Sequence, residues 1–440
     1  MFQLQSRPRI QVGGNKYPLF GIIMALALNY LSPFVTSLLV YPAFLICVYR
    51  VIRYDEKVFA TDYCLLISVS LLFGTSAGMS LLVYLCLFAD VWYFIRRGIR
   101  GEATVVGVLL LLNYLILRMQ FNLANFALCF GQLFLLYILI PHQDRESAER
   151  SAKAFCIGLL VSSAYALIFR NTWQIESLRG PEVPAYWGSS LIRFYGLFQD
   201  PNYYSMLLIT SLALMVKLFD SKCVNWFTFI VLSVLLIACG ILTYSKTFFV
   251  MLVLLTAIYL VWQFWSKRIL RGFLLTVCIV LLGGIVLFSE GSPFSVVLTR
   301  FSAATDLHEL TTGRSDMFVV YFRAITTDLK SIFFGKGLAA NSMGRDPHNL
   351  FLEITYYLGV TGLVLMSVYY TFVVRSIRRR SDAVQKQHFL AKYTVLIMVA
   401  ALHFTLHGMT AMVSYASFFV AALAMLIHKK PEEDVSCQDC

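Results

Sequence analysis

Residues 346–365 read DPHNLFLEITYYLGVTGLVL. Four polar or turn-forming residues come first, and an aromatic and aliphatic run follows with one carboxylate, Glu353, inside it. Pro347 and Asn349 suit a helix start, where proline fixes φ and an asparagine side chain accepts an orphan backbone N–H. His348 and Glu353 are not needed for that purpose. A histidine and an acid at the mouth of an apolar helix acquire meaning only when the side of the membrane that the mouth faces is known.

Similar apolar runs fill the rest of the chain. Of its 440 residues 59% are hydrophobic and 14% are charged, against about a quarter charged in soluble domains. This predicts an all-α fold, a polytopic membrane bundle in which each spanning helix uses about 20 apolar residues. Fourteen helices are read at 17–31, 33–49, 60–75, 78–95, 103–118, 122–141, 154–170, 201–218, 224–243, 247–266, 270–289, 349–374, 392–408 and 411–428. The first four are short or closely spaced, so the expected count runs from twelve to fourteen. The chain then divides into an N-terminal bundle (1–170), a first long loop (171–200), further helices (201–289), a second long loop (290–348), and C-terminal helices with a tail (349–440).

A net charge of +12 raises nucleic acid as a partner, but the position of the charges excludes it. Most of the lysines and arginines fall in 1–16, 50–57, 96–100, 142–153, 217–222, 267–271, 375–392 and 429–430, between apolar runs. The alternate turns carry almost none, apart from Arg118 and Lys246. The positive-inside rule therefore predicts that both termini are cytoplasmic and both long loops outside. The opening MFQLQSRPRIQVGGNK is polar and basic and reads as a cytoplasmic segment rather than a cleavable signal. Ten cysteines are present, eight in or beside apolar segments and two in the terminal CQDC, with none in the long loops. That distribution does not describe a disulfide framework.

The long loops contain Trp173, Tyr186, Trp187, Phe194, Phe198, Phe301 and Phe318, so they are expected to be ordered. In the second, Phe318, Phe322, Ile325, Leu329 and Ile332 follow helical spacing while Asp316, Arg323 and Lys330 fall on another face. This predicts an amphipathic helix at the outer membrane surface, in contact with membrane lipid.

Three constellations remain. In RFYGLFQDPNYYSM (193–206) Asp200 and Pro201 are a helix start, which leaves Arg193 over. In TTGRSDMF (311–318) Ser315 or Asp316 starts the surface helix, which leaves Arg314 over. The third is the opening stretch, preceded by Arg345. The helices beginning near 201 and 349 both start outside, and a helix N-terminus with its free N–H groups favours anions. Arginine binds phosphate oxygens as a planar fork. Two loops folded together would thus form an anion site at headgroup level, suited to a lipid diphosphate.

RFYGLFQDPN at 193–202, TYSKTFF at 243–249, TGR at 312–314, FGKG at 334–337 and HNLFLEITYYLGVTG at 348–362 together resemble the O-antigen ligase and polymerase family. That family has a histidine, an Asn, Ser or Gln, nine residues, then Gly-x-x-Gly. Here these are His348, Asn349, nine residues, and Gly359 to Gly362. The resemblance covers residues 190–375. One departure is Lys246, where the family carries arginine after a serine. Lysine keeps the charge and loses the fork, and it serves equally as a snorkelling anchor.

The resemblance implies a glycosyltransferase of the bacterial cytoplasmic membrane, acting on its outer, periplasmic side without a bound metal or other cofactor. The implied donor is an undecaprenyl-diphosphate-linked oligosaccharide. The implied acceptor is a sugar on another lipid-linked repeat (polymerase) or on a glycolipid (ligase), with a chain-length regulator or flippase as a further partner. Arg193 and Arg314 would hold the diphosphate, helped by Asn349, Arg345 and Lys246. His348 would orient or deprotonate the acceptor hydroxyl. Glu353 would orient the histidine, contact a sugar, or serve bundle packing.

Weaker candidates are His403 and His407, one turn apart without a carboxylate to complete a metal site, Arg118 as an anion or interface anchor, and Asp90 as a paired residue inside the bundle. The rival class is a flippase for the same lipid-linked sugar, which would place charged residues at mid-membrane between two similar halves. In a cysteine-free background, an impermeant thiol reagent applied to intact cells should label His308→Cys and spare Arg379→Cys. The reverse pattern would overturn the proposed orientation.

Overall fold

In lipid, every backbone N–H and C=O must find a partner inside the protein, and a chain this apolar meets that demand with helices. The computed structural model describes residues 17–31, 39–73, 80–97, 102–119, 123–172, 175–176, 178, 184, 192–266, 302, 314–340, 347–384, 388–406, 408–409 and 411–428. Their secondary structure is helical apart from one isolated bridge between Pro184 and Ile192. The helices are α1 (Tyr17–Leu31), α2 (Val40–Arg53), α3 (Glu56–Leu66, continued by the 3-10 segment Ile67–Phe73), α4 (Leu81–Arg97), α5 (Glu102–Arg118), α6 (Leu123–Leu139) and α7 (Arg145–Ile168). They continue as α8 (Pro201–Asp220), α9 (Trp226–Leu242), α10 (Lys246–Trp265), α11 (Arg314–Ile325), α12 (Leu329–Phe334), α13 (Leu350–Val384), α14 (Phe389–His403) and α15 (Met412–Ala424).

Among the described residues five stretches are long and apolar enough to cross a membrane: Leu123–His142, Arg145–Ile168, Pro201–Asp220, Lys246–Trp265 and Leu350–Asp382. Shorter apolar helices stand beside them, Trp226–Leu242 and Met412–Ala424 among others. Leu45, Ile95, Leu117, Ile168 and Val253 point away from the protein, as side chains facing lipid do. Inside, α3 packs on α7, α4 on α6, α8 on α9 and α14, and α13 on α5, α11 and α12.

Every expected apolar run carries helix except 270–289, which lies outside the described residues. Several ends differ from the hydropathy reading. The second helix, described over Val40–Arg53, runs four residues past the expected end at 49. The third starts at Glu56, where Asp55 accepts from the Val58 N–H. The seventh starts nine residues early, because Asp144 and Ser147 form a reciprocal capping box and Glu149 pairs with Lys153. α13 continues through the RSIRRR stretch that hydropathy assigns to a loop. Arg380 there donates to the carbonyls of Ile140 (2.7 Å), Pro141 and Gln143 (2.9 Å each), and the Ser381 hydroxyl donates to the Met425 carbonyl. The basic end of the bundle is therefore a framework, reinforced by the buried Arg50–Asp62 fork at 2.7 and 2.9 Å.

The expected single surface helix is two helices. Asp328 accepts from the Ser331 N–H and hydroxyl and restarts the chain as α12. Tyr321, Ala324 and Ile325 are buried, while Phe318, Phe322 and Leu329 are exposed. Most of the apolar row read as one face thus looks away from the protein.

α13 is broken. Gly359 has φ 70° and ψ −176°, and Gly335, which ends α12, has φ 69° and ψ −177°. This region is essentially closed to residues with a side chain. The two glycines meet backbone to backbone. A Cβ on Gly335 would lie 2.5 Å from the Gly359 nitrogen and the Tyr357 carbonyl, and one on Gly359 would overlap the backbone of Phe333 and Phe334. Three carbonyls that the break frees are taken: Lys336 N–H donates to Tyr356 (2.7 Å), Gly337 N–H to Tyr357 (2.9 Å) and the Tyr114 hydroxyl to Leu358 (2.6 Å). Arg118 closes the joint by donating to the Gly335 carbonyl, and its own carbonyl accepts from Leu338 N–H.

Gly359→Ala should lower stability by about 1–3 kcal/mol for the backbone strain alone, with the overlap adding to that. Thermal unfolding of purified protein measures it, and an unchanged midpoint would mean that the joint is not as drawn.

Candidate functional site

The site is built on helix starts and turns at the end of the bundle where α8, α10 and α13 begin. Asp200 caps α8 by accepting from Asn202 N–H at 2.6 Å, with Pro201 at the first helical position. The segment before it lies on the turn between α9 and α10: Phe194 N–H donates to the Leu242 carbonyl at 2.9 Å. Arg193, buried, donates through Nε to the Thr243 carbonyl at 2.8 Å and through Nη2 to Asn202 Oδ1 at 3.4 Å. The Ser245 hydroxyl reaches the same Asn202 oxygen at 3.0 Å. Thr243 Oγ1 donates to Gly240 and accepts from the Ser245 N–H and the Ser205 hydroxyl. Three remote segments are thus tied around one asparagine.

A second knot surrounds the turn between α14 and α15. Arg314, the first residue of α11, donates through Nη1 to the Thr405 carbonyl at 2.9 Å. Asn349 caps α13 by accepting from Leu352 N–H at 2.9 Å, and its Nδ2 donates to the Phe404 carbonyl at 3.1 Å. Glu353, one turn on and buried, accepts from the N–H groups of Gly408 and Met409 at 2.7 and 2.9 Å. The tilted rings of Phe351 and Phe404, with centroids 4.7 Å apart, close the contact.

The charge of Asp200, which caps α8 in the first knot, acts on Arg314 in the second. Burial pushes the Arg314 guanidinium down from its usual range, and the Asp200 carboxylate partly offsets this. Tyr244 and His348 both have φ 47°, a left-handed conformation that costs non-glycine residues energy and clusters at functional sites. Each stands just ahead of the residue that starts a helix, α10 or α13.

The structure thus gathers Arg314, Asn349 and Glu353 on one turn, with His348 at its edge, and Arg193 with Lys246 on the neighbouring one. Arg345 lies outside the described residues, as does His407. Several of these residues also have a local duty. Arg193 and Arg314, which helix-start chemistry left unexplained, each hold a backbone carbonyl. Glu353 Oε2 holds the 408–409 turn, a duty in the bundle. His403 is buried with Nδ1 on the Val399 carbonyl at 2.7 Å. Arg118 belongs to the glycine joint. Asp90 is buried, and neither carboxylate oxygen has a hydrogen-bond partner among the described residues, so the expected pairing is absent there.

Asn202, Ser245 and the 404–409 turn were missed as members of the site. Asn202 and Ser245 stood inside quoted fragments, whereas the turn carries no motif. No family model matches the chain, and no curated protein matches it.

The arrangement offers two guanidinium groups beside three helix starts. Each arginine is held by a carbonyl, and Arg314 uses one of its five donors on Thr405. Such a held fork can receive an anion with little ordering cost. Glu353→Ala should strand two buried N–H donors at about 1–3 kcal/mol or more. Glu353→Gln, which keeps an acceptor oxygen, should lose less. Thermal midpoints of the two variants test this, and equal midpoints would separate Glu353 from the turn.

Proposed function

We propose that the chain is a membrane glycosyltransferase that moves an undecaprenyl-diphosphate-linked oligosaccharide onto an acceptor sugar at the outer face of the bacterial cytoplasmic membrane. One observation carries this reading: Arg314, Asn349 and Glu353 converge on a single turn beside the Arg193 knot, with His348 held left-handed at the mouth of α13. The resemblance to the O-antigen ligase and polymerase family rests on the same residues. In this reading fourteen helices cross the membrane, both termini are cytoplasmic, and the two knots lie outside.

His348 accepts the proton of the acceptor hydroxyl as that oxygen attacks the anomeric carbon. The bond from that carbon to the diphosphate oxygen breaks, and undecaprenyl diphosphate leaves with the electron pair. Arg314 and Arg193 take up the charge on the leaving phosphates, and Lys246 and Arg345 add positive field. Glu353 acts at one remove, by fixing the turn that Arg314 grips.

A flippase is the second reading, and one observation favours it: Asp90, a carboxylate buried in the bundle away from the helix starts, of the kind that marks transport pathways. Purified protein with lipid-linked repeat units, assayed in EDTA, separates the readings. A ladder of lengthening lipid-linked glycans identifies a polymerase, and one transfer only with added glycolipid identifies a ligase. Movement of intact donor between leaflets without a new glycosidic bond identifies a flippase. His348→Ala should bind donor normally and transfer it about 10²–10⁴-fold more slowly. Arg314→Ala should weaken donor binding by about 1.5–3 kcal/mol, the value of a charged hydrogen bond. Unchanged transfer in both variants would remove this site from the reaction.

A further inference from the structure

α13 leaves the apolar part of the bundle through Arg375, Arg378, Arg379 and Arg380, and the structure gives these arginines different duties. Arg380 is turned inward onto the carbonyls of residues 140, 141 and 143. Arg378 Nε pairs with Asp382 Oδ2 at 3.3 Å, and the other oxygen of that carboxylate pairs with Lys392 at 2.6 Å. Both oxygens of Asp382 are therefore taken. Arg375 and Arg379 are exposed, and neither has a hydrogen-bond or ion-pair partner among the described residues.

Residues three and four apart share a helix face. Read back from Arg379, that face holds Arg375, Thr371, Val368 and Val364, all exposed. The opposite face, with Met366, Tyr369, Val373, Ile377 and Ser381, is buried. The Thr371 hydroxyl donates to the Ser367 carbonyl of its own helix at 2.7 Å, the arrangement a threonine needs when it faces hydrocarbon. One outward stripe thus runs from aliphatic to cationic where the apolar stretch ends. Its two guanidinium groups are one turn apart, about 6 Å along the axis, and like charges at that spacing oppose each other.

We propose that this stripe of α13 binds an anionic phospholipid, with Arg375 and Arg379 on its phosphate and an acyl chain along Thr371, Val368 and Val364. The guanidinium fork suits phosphate oxygens, and a headgroup of net negative charge offsets both arginines where a zwitterionic one offsets less. A soluble acidic partner would meet the arginines and leave the aliphatic half of the stripe uncovered. A phospholipid covers both halves. The site stands without the transferase reading and in either leaflet.

Full-length protein in detergent micelles with equal amounts of phosphatidylglycerol and phosphatidylcholine, passed through gel filtration, gives the test. The lipid retained by the protein is quantified by mass spectrometry. Wild type is expected to retain phosphatidylglycerol in preference. Arg375→Gln combined with Arg379→Gln should lower that preference about 25-fold, at about fivefold for each basic residue beside the membrane. Arg378→Gln removes the same charge from the same turn and should change it little, because Arg378 serves Asp382. Lysine at 375 and 379 keeps the charge without the fork and should lose only part of the preference. If the double glutamine variant does not fold, wild type is measured in about 1 M NaCl, where the screening length is about 3 Å, and should there retain the two lipids alike. Equal retention of both lipids by wild type at low salt, or an equal loss in Arg378→Gln and the double variant, would overturn the proposal.

Discussion

Breaking a helix inside lipid frees carbonyls that water cannot reach, and each needs a donor from the protein. The break at Gly359 is possible here because α12 ends in the same backbone conformation at Gly335 and lends its N–H groups to Tyr356 and Tyr357. Tyr114 supplies the third donor, and Arg118 locks the partner glycine. Residues 350–358 thereby become a short helix with its own direction, fixed at its far end. Asn349 and Glu353, which seize the 404–409 turn, are placed by that joint. The two glycine motifs in the sequence, FGKG and the later Gly-x-x-Gly, are two halves of one contact.

The arginines at the opposite ends of the bundle show one guanidinium chemistry in two settings. Arg380 and Arg145 saturate helix-end carbonyls at the basic end. Arg193 and Arg314 do the same for the turns beside the candidate site. The difference lies in what surrounds them. At the basic end acidic partners such as Asp382, Glu149 and Asp62 accompany the cations. Beside the site Asp200 is the acid that acts on Arg314, and its side chain already caps α8.

Helix existence and the local starts were legible in the sequence. Apolar runs, the Asp200–Pro201 pair and the Asn349 cap depend on residues within a few positions of one another, and the caps form as read. Helix ends were less legible. α7 and α13 extend well beyond their apolar runs because capping and ion pairing, which hydropathy does not see, continue the helix into polar territory. The row read as one helix is two for a similar reason, since periodicity does not show that Asp328 restarts the chain as α12.

What the sequence by itself determined is an all-helical chain with several runs long enough to cross a membrane, and the residues that stand at the mouths of two of its helices. Tertiary structure alone decided what those residues hold. Arg193 reaches a carbonyl 50 positions away, Glu353 a turn 55 positions on, Arg314 a carbonyl 91 positions on, and Tyr114 a carbonyl 244 positions on. A hydrogen bond has no signature at such separations, because any carbonyl can serve as acceptor. Which one does is set by how the helices pack.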